Sequence, residues 1–390
     1  KASVAGAAGA LLGSELGFPA IVHAAKVKDP IKIGCQGIMS GPLGGYGEYM
    51  KKGATLAMEE INSKGGVLGS KIDFNFRDEE LKPDVAVKNA RFFVDDWGAD
   101  FLIGIDSSGV AMAVGQVMPE LNKILIVTHA ATEKYNEGLV YQKKIKQCFR
   151  VCVPVYQDGI ASAYVAKDLP VKTWATVSPD YEYGYNSWTI FQAHLAHHRP
   201  DVECVGEAWP EFLEHDYGAY IEAILRAKPD AVYNLLYGGD LVAFTRQARG
   251  TALFERIPFL NATGGDVGVL EELGGDMPEG VLCGARYYFQ HPQTEANRRF
   301  VERYRDRFGS WPTPWAEMSY NGLRFLAAGL ARAGTRASHP LVQALEGMTL
   351  ELPRGPVTFR AEDHQAILGM VWGRTRRHPD FAFPILADLQ

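Results

Sequence analysis

Short apolar runs alternate with amphipathic stretches along most of the chain, a pattern typical of strands followed by helices. The first half contains four runs that predict strands, at residues 31–37, 72–77, 101–105 and 124–128. Between the first two, Met50, Ala54, Ala57 and Ile61 recur at spacings of three and four and predict a helix. We expect that helix to end at Gly65-Gly66, because glycine readily adopts the left-handed conformation of a helix C-cap.

The second half repeats this plan. Its predicted strands are residues 173–177, 202–207, 231–236 and 258–261, which start about every 29 residues. That spacing is the size of one strand–helix–strand unit. Parallel strands need crossover connections, so the repeated alternation predicts an α/β chain of two doubly wound, Rossmann-like lobes. Each lobe would be a parallel sheet covered by helices on both faces.

Two segments are predicted to connect the parts of this plan. The join between the copies falls near residues 149–154, and residues 351–358 contain Pro353, Gly355 and Pro356, which are typical of a linker. A third block follows the second set of strands. It carries two apolar helical faces, formed by Phe300, Tyr304 and Phe308 and by Leu323, Leu326 and Leu330.

Composition narrows the possible functions. Lys and Arg number 40 against 46 Asp and Glu, giving a formal net charge of −6, which argues against a nucleic-acid partner. Apolar residues make up 47% of the chain and exclude a mainly disordered state. Five cysteines are too few for a dense disulfide framework. Cys148 and Cys152 lie in one predicted strand, roughly 13 Å apart at about 3.3 Å per residue, too far for a bridge.

Residues 1–24 differ from the rest. They are rich in Ala and Gly, and the small residues Ala24 and Ala25 stand where a signal peptidase would cut. We predict an export-signal remnant that is similar to the end of a twin-arginine signal, a mature chain from about Ala25 and a periplasmic location. The alternative is a flexible N-terminal arm. Later in the chain no run of 18 apolar residues occurs, so no membrane span is predicted.

The loops after the predicted strands are the candidate ligand site, because open α/β sheets bind ligands beyond the carboxyl ends of their strands. In the first lobe these loops span residues 40–47, 106–109 and 128–132 and are rich in hydroxyls and small side chains. Ser107 and Ser108 precede a predicted helix at residues 110–121, whose free amides would suit a carboxylate. Either serine could instead simply cap that helix.

The loops of the second lobe have a different chemistry. Residues 178–184, 237–240 and 263–266 supply carboxylates and aromatic rings, which stabilise an ammonium group. Anion donors on one lobe facing these groups on the other would suit a zwitterion such as a free amino acid. The alternative for Asp180, Asp240 and Asp266 is a role as turn or N-cap residues.

Several segments together resemble a known family. GIMSGPLGGYG, GATLAMEEINSKGGVLG and KIDFNFRDEELKPDVAVKNA are similar to the opening of the branched-chain-type amino-acid-binding proteins of ABC importers, and SPDYEYGYN, KPDAVYNLLYGGD and GPVTFRAEDHQ resemble later family segments. These are type I periplasmic binding proteins, related to the leucine/isoleucine/valine-binding protein. The resemblance implies two lobes that close over one ligand and are joined by a three-segment hinge. The implied first lobe is 25–150 plus 289–351, and the second is 151–288 plus 352–390.

The resemblance also implies a set of ligand contacts. The carboxylate would meet Ser107 or Ser108 together with the loop of Ala130, Ala131 and Thr132, and aromatic packing would come from Tyr183 and Tyr237. Tyr46, Gly238, Thr263 and Asp266 complete the predicted site. The family's ammonium-binding glutamate is replaced by Thr263, and Asp266 is the candidate substitute. Without such a substitute, an aromatic or aliphatic carboxylate or an amide replaces the amino acid as the expected ligand.

Other chemistries have weaker support. His194, His197 and His198 have a spacing that can hold a metal, but no carboxylate or cysteine is fixed near them, so we predict neither a metal site nor a cofactor. No dinucleotide or nucleotide phosphate loop and no G-x-S-x-G motif occurs, which argues against an enzyme such as a dehydrogenase. The loop with Pro314 and Trp315 is expected to pack rather than bind. The prediction is a non-enzymatic, exported solute-binding protein that delivers a small carboxylate, first of all an amino acid, to an ABC permease in the inner membrane. A cytoplasmic ligand sensor of the same fold is the rival.

Overall fold

A computed structural model describes residues 29–251 and 253–390 of the chain. The predicted export-signal remnant at residues 1–24 and the cleavage point near Ala25 lie outside the described residues. Among the helices described, none combines the length and the apolar character needed to cross a bilayer.

The first lobe is built on a five-stranded parallel sheet with the strand order β2-β1-β3-β4-β5. Its strands are β1 Ile31–Gly37, β2 Ile72–Asp78, β3 Phe101–Gly104, β4 Ile124–Val127 and β5 Cys148–Arg150. Its helices are α1 Gly44–Ser63, α2 Pro83–Arg91 and α3 Ser108–Leu121, with π-helical turns at Phe92–Asp96 and Tyr135–Gln142 and a 3-10 turn at Gly41–Leu43. The four predicted strands are present to within one residue at each end. The predicted first helix ends two residues early, at Ser63.

The second lobe is built on a seven-stranded sheet with the order β15-β14-β10-β9-β8-β6-β7. Its strands are β6 Thr173–Val177, β7 Glu203–Ala208, β8 Ala231–Asn234, β9 Phe259–Asn261, β10 Leu282–Ala285, β14 Val371–Arg376 and β15 Ile385–Ala387. Its helices are α4 Val155–Ala166, α5 Glu182–His198, α6 Gly218–Ala227, α7 Gly238–Arg249, α8 Leu253–Arg256 and α9 Val267–Leu273, with a 3-10 turn at Gly274–Asp276. The strands from β7 to β10 run parallel, whereas β14 and β15 add an antiparallel edge.

The block after β10 returns to the first lobe. It forms α10 Glu295–Phe308, α11 Pro314–Ala333 and α12 Ser338–Leu345, then a small antiparallel sheet of β11 Thr349–Leu352, β12 Gly355–Phe359 and β13 Ala366–Ile367. Helix α11 packs along α1 so closely that a Cβ on Gly53 would lie 1.9 Å from the Ala316 carbonyl oxygen. Only glycine permits that approach.

The chain therefore passes between the two sheets three times: after β5, after β10 and before β14. This is the predicted fold class of two doubly wound lobes joined by a three-segment hinge. Near the last passage, Phe359 packs against Phe149 and Phe325, and the buried Arg354 pairs with Glu317 of α11. The residue limits predicted for each lobe stay a prediction.

Candidate ligand-binding site

A cavity of about 500 Å³ lies between the carboxyl ends of the two sheets. Nine of the eleven predicted site residues line it: Tyr46, Ser107, Ser108, Ala131, Thr132, Tyr183, Tyr237, Thr263 and Asp266. Two do not. Ala130 is fully buried behind the wall, where its carbonyl accepts from the Cys152 thiol at 3.1 Å, and Gly238 abuts the Tyr46 hydroxyl. The shared location is a structural finding, whereas the role of each residue as a ligand contact stays a prediction.

The N-terminus of α3 opens onto this cavity. Strand β3 ends one residue earlier than predicted because Ile105 turns to φ 75°, a strained conformation for a β-branched residue. Ser107 caps α3 by accepting from the Val110 amide at 3.2 Å. The amides of Ser108 and Gly109 have no acceptor in the described part of the chain. Two free amides beside hydroxyl side chains form an arrangement that binds an anion.

Arg150 holds the neighbouring loop in place from behind. Its guanidinium is buried and donates to the carbonyls of Ala130 and Thr132 and, at 2.5 Å, to Gln365 Oε1. The loop between β4 and the first hinge passage is thereby fixed to the third passage. Thr132 consequently presents its side chain at the cavity with its backbone already hydrogen-bonded.

Two buried carboxyl groups lie beneath the α3 terminus. Glu79 Oε1 accepts from the Asp106 amide at 3.2 Å, and the Ser107 amide also acts on this carboxyl. Burial raises the pKa of Glu79 to about 8, with a further contribution from the charge of Asp106. Burial raises the pKa of Asp106 to about 6, against the hydrogen bond from the Ile38 amide. Near pH 7 the pair therefore carries about one negative charge, since ionisation of one carboxyl opposes that of the other.

Three rings form the wall of the first lobe. Trp315 stacks on Tyr46 with ring centroids 4.3 Å apart, and lies parallel to His129 at 5.9 Å. Its indole Nε1 donates to Asp106 Oδ1 at 3.1 Å. Burial lowers the pKa of His129 to about 3, so its ring is neutral at physiological pH. The sequence assigned Trp315 to packing, and the structure places it at the cavity.

Four rings form the facing wall of the second lobe. Tyr183 meets Tyr237 edge-on at 5.7 Å, Phe212 stacks on Tyr237 at 5.9 Å, and Tyr181 contacts both Tyr183 and Phe212. The Tyr181 and Tyr237 hydroxyls are hydrogen-bonded at 2.9 Å. Aromatic side chains on both sides of a cavity favour a flat apolar guest, which can stack or pack edge-to-face.

The side chains that were expected to bind an ammonium group already make hydrogen bonds within the protein. Asp266 caps α9 by accepting from the Gly268 amide at 3.0 Å, and burial raises its pKa to about 7. Thr263 donates its hydroxyl to the Leu236 carbonyl at 3.4 Å. Asp240 lies in the first turn of α7, accepts from the Leu213 amide and does not line the cavity.

Two charged residues of the cavity were not predicted from the sequence. Arg286 follows β10 and forms a buried ion pair with Asp158 of α4. Glu133 accepts across the cleft from Asn186 at 3.0 Å and leaves its second, buried oxygen without a partner among the described residues. Both act through partners that are distant in sequence, so no local motif marks them.

No cluster of three or more His, Cys, Asp or Glu side chains suited to a metal occurs within residues 29–251 and 253–390. His194, His197 and His198 lie exposed on α5. All five cysteines fall within the described residues and are free thiols.

Known proteins resemble the chain over nearly all of its described length. A family model described as periplasmic binding protein matches residues 30–378. The leucine-, isoleucine-, valine-, threonine- and alanine-binding protein of Pseudomonas aeruginosa is 26% identical over 339 residues, which cover 85% of this chain and 86% of the relative. A Leu/Ile/Val-binding protein of Rhizobium johnstonii is 33% identical over 232 residues, 59% of each chain.

Solved structures resemble the fold as well. An amino acid ABC transporter substrate-binding protein from Pseudomonas fluorescens has a TM-score of 0.84 at 23% identity, covering 93% of this chain and 95% of its own. A solute-binding protein from Rhodopseudomonas palustris in complex with 3,4-dihydroxybenzoic acid has a TM-score of 0.81 at 22% identity, over 93% and 97%. Another from R. palustris, in complex with benzoate, has a TM-score of 0.80 at 23% identity, over 92% and 96%.

Proposed function

The chain belongs to the type I periplasmic binding proteins of the branched-chain amino acid family, and from that premise we propose that it captures a small aromatic carboxylate between its lobes. It is a non-enzymatic solute-binding protein of an ABC transporter, and the family is exported to the periplasm. The ligand would then be handed to an ABC permease in the inner membrane.

The N-terminus of α3 supports the binding of a carboxylate. The free amides of Ser108 and Gly109 and the hydroxyls of Ser108 and Thr132 lie on one side of the cavity. Helix N-termini stabilise anions through their unpaired amides and the helix dipole. These groups support a carboxylate at this end of the ligand.

Two opposed sets of aromatic rings enclose the cavity, and this is the main observation in favour of an aromatic ligand. Tyr46, Trp315 and His129 face Tyr181, Tyr183, Phe212 and Tyr237. The position expected to bind an α-ammonium holds Thr263, and Asp266 is engaged as a helix cap. An acid without an ammonium group suits this arrangement better than leucine does. The complexes of two solved relatives with benzoate and 3,4-dihydroxybenzoic acid support the same ligand class.

A free amino acid is the second candidate, favoured by one specific observation. Glu133 follows Thr132 directly, lines the cavity, and has a buried carboxylate oxygen without a partner in the described structure. That oxygen could accept from an ammonium group beside the carboxylate site. Curated relatives named for leucine, isoleucine and valine support this alternative.

Calorimetric titration of the ligand-free protein distinguishes the two candidates. Benzoate and its hydroxylated derivatives are compared with leucine, valine and phenylalanine at equal concentrations. We expect saturable, one-to-one binding of at least one aromatic carboxylate and none of leucine. Binding of leucine without any aromatic carboxylate would replace the first candidate by the second.

A further inference from the structure

Arg286 presents an unused hydrogen-bonding edge at the cavity. Its Nε donates to Asp158 Oδ1 at 3.3 Å and its Nη2 donates to Oδ2, while both side chains are almost completely buried. The remaining terminal nitrogen, Nη1, has no acceptor in the part of the chain that the structure describes. Because Arg286 lines the cavity, this nitrogen can donate to a bound molecule.

The pair carries opposite charges that cancel. Burial alone would lower the pKa of Arg286, but the adjacent Asp158 carboxylate raises it above its ordinary value. Burial raises the pKa of Asp158, and the Arg286 charge opposes that rise. A balanced pair offers a strong donor without excess positive charge, so it suits an uncharged oxygen better than a second carboxylate.

Tyr183 adds a second polar atom at the same place. Its buried hydroxyl acts as a hydrogen-bond donor toward the Asp158 carboxylate, which opposes the rise in the pKa of that carboxyl, and it has no further partner among the described residues. Burial and then the nearby Asp158 charge raise the pKa of the phenol itself. A phenol that donates its proton to a carboxylate still has free oxygen lone pairs, so it can accept a hydrogen bond from a hydroxyl on the ligand.

We propose, on the premise that the protein binds aromatic carboxylates, that Arg286 Nη1 and the Tyr183 hydroxyl form a second polar subsite. This subsite binds an uncharged oxygen carried by the ligand ring, while the α3 terminus on the opposite lobe holds the carboxylate. The preferred ligands are therefore hydroxy- or oxo-substituted aromatic carboxylates. Because the two subsites belong to different lobes, both engage one ligand only when the lobes are closed.

Calorimetry with benzoate, its 2-, 3- and 4-hydroxy isomers and terephthalate tests this subsite. At least one hydroxy isomer should bind on the order of tenfold more tightly than benzoate, as one added hydrogen bond provides. Terephthalate, which carries a second charge, should bind more weakly than that isomer.

Two variants assign the effect to these residues. Tyr183→Phe removes only the hydroxyl and should reduce the preference for the hydroxy isomer over benzoate. Arg286→Met combined with Asp158→Asn removes both charges together and should do the same without leaving a buried charge unpaired. Tyr304→Phe is the matched control. It deletes another buried phenol, on α10 and outside the cavity, and should keep the preference.

The outcomes separate the two proposals. Equal affinity for benzoate and all three isomers, or a preference that survives in both the Tyr183 and the Arg286/Asp158 variants, overturns the second subsite and leaves the proposed function standing. Failure of every aromatic carboxylate to bind, benzoate included, overturns the proposed function and the subsite with it.

Discussion

At the residue scale, two hydroxyls should carry much of the carboxylate affinity. We expect Ser108→Ala and Thr132→Ala each to weaken binding by about 1–3 kcal/mol, because a charged ligand group loses a hydrogen bond. Isothermal titration with the best aromatic ligand measures the change. Ser63→Ala, which removes a hydroxyl at the far end of α1 that donates to the Glu60 carbonyl, should leave the affinity unaltered. Unchanged dissociation constants in both site variants would remove the carboxylate assignment.

Glu79 should make stability depend on pH. Its pKa is about 8 in the folded chain against an ordinary value of 4.5, so between these values the native state binds more protons than the unfolded state. The free energy of unfolding must then fall as pH rises through this window, by an amount on the order of a few kcal/mol. Glu79→Gln has no proton to lose, so its stability should change less between pH 5 and 8.

Urea unfolding at intervals from pH 5 to 9 measures this dependence. Glu80→Gln is the matched control, since Glu80 is an exposed neighbour paired with Lys82 and should follow the wild-type profile. Parallel stability profiles for wild type and Glu79→Gln would contradict the prediction. Besides burial, the charges of Asp106 and Asp78 raise the pKa of Glu79, and hydrogen bonds from the amides of Asp106 and Ser107 lower it.

At the scale of elements, Asp266 was predicted as a ligand contact but caps helix α9. Asp266 was predicted either to bind the ligand or to cap a helix, and its carboxylate accepts from the Gly268 amide at the start of α9. We expect Asp266→Asn to be more stable than Asp266→Ala by about 1 kcal/mol, because asparagine keeps the N-cap hydrogen bond and alanine does not. Chemical denaturation of the three proteins at pH 8 provides the comparison. Equal losses in both variants would argue against the cap.

Strands were the most predictable elements. A strand buried on both faces is a continuous apolar run, as at Phe101–Gly104 and Ile124–Val127, so its position can be recognised locally. The buried strand β10, Leu282–Ala285, was not predicted, because it is short and contains a glycine. The edge strands β14 and β15 and the small sheet β11–β13 were not predicted either, because their burial alternates or is incomplete, and β11 and β12 lie where a linker was predicted at residues 351–358. Their place depends on which surface they cover, and a local pattern does not specify that surface.

At the scale of the whole molecule, Tyr46 of α1 in one lobe contacts Gly238 of α7 in the other. A Cβ on Gly238 would lie 1.8 Å from the Tyr46 hydroxyl oxygen, and Gly238 has φ 52°. Gly238→Ala should therefore hold the lobes apart and weaken ligand binding. Adding Tyr46→Phe removes the clashing oxygen and should restore part of the affinity.

Small-angle scattering with and without ligand, together with calorimetry, tests this prediction. Wild type should contract on binding, and Gly238→Ala should contract less. Gly239→Ala is the control at the next position, where no atom of the described residues lies within 4 Å of the added Cβ, and should behave like wild type. Normal contraction of Gly238→Ala would show that this contact does not limit closure.

The two-lobed α/β plan and the loops that meet at the cavity could be predicted from the amino-acid sequence. These follow from local features: apolar runs form strands, and parallel strands place their following loops at one edge of a sheet. Nine of the eleven predicted residues line the cavity for this reason.

Which side chains meet inside that cavity depends on contacts between residues that are distant in sequence. Trp315 donates to Asp106 across 209 positions of sequence, and Arg286 pairs with Asp158 across 128. Pairings at such separations depend on how lobes and helices pack, and no spacing or motif near either residue specifies the partner. The ring walls, the capping role of Asp266 and the free edge of Arg286 therefore emerge from packing, whereas the position of the cavity follows from the order of the strands.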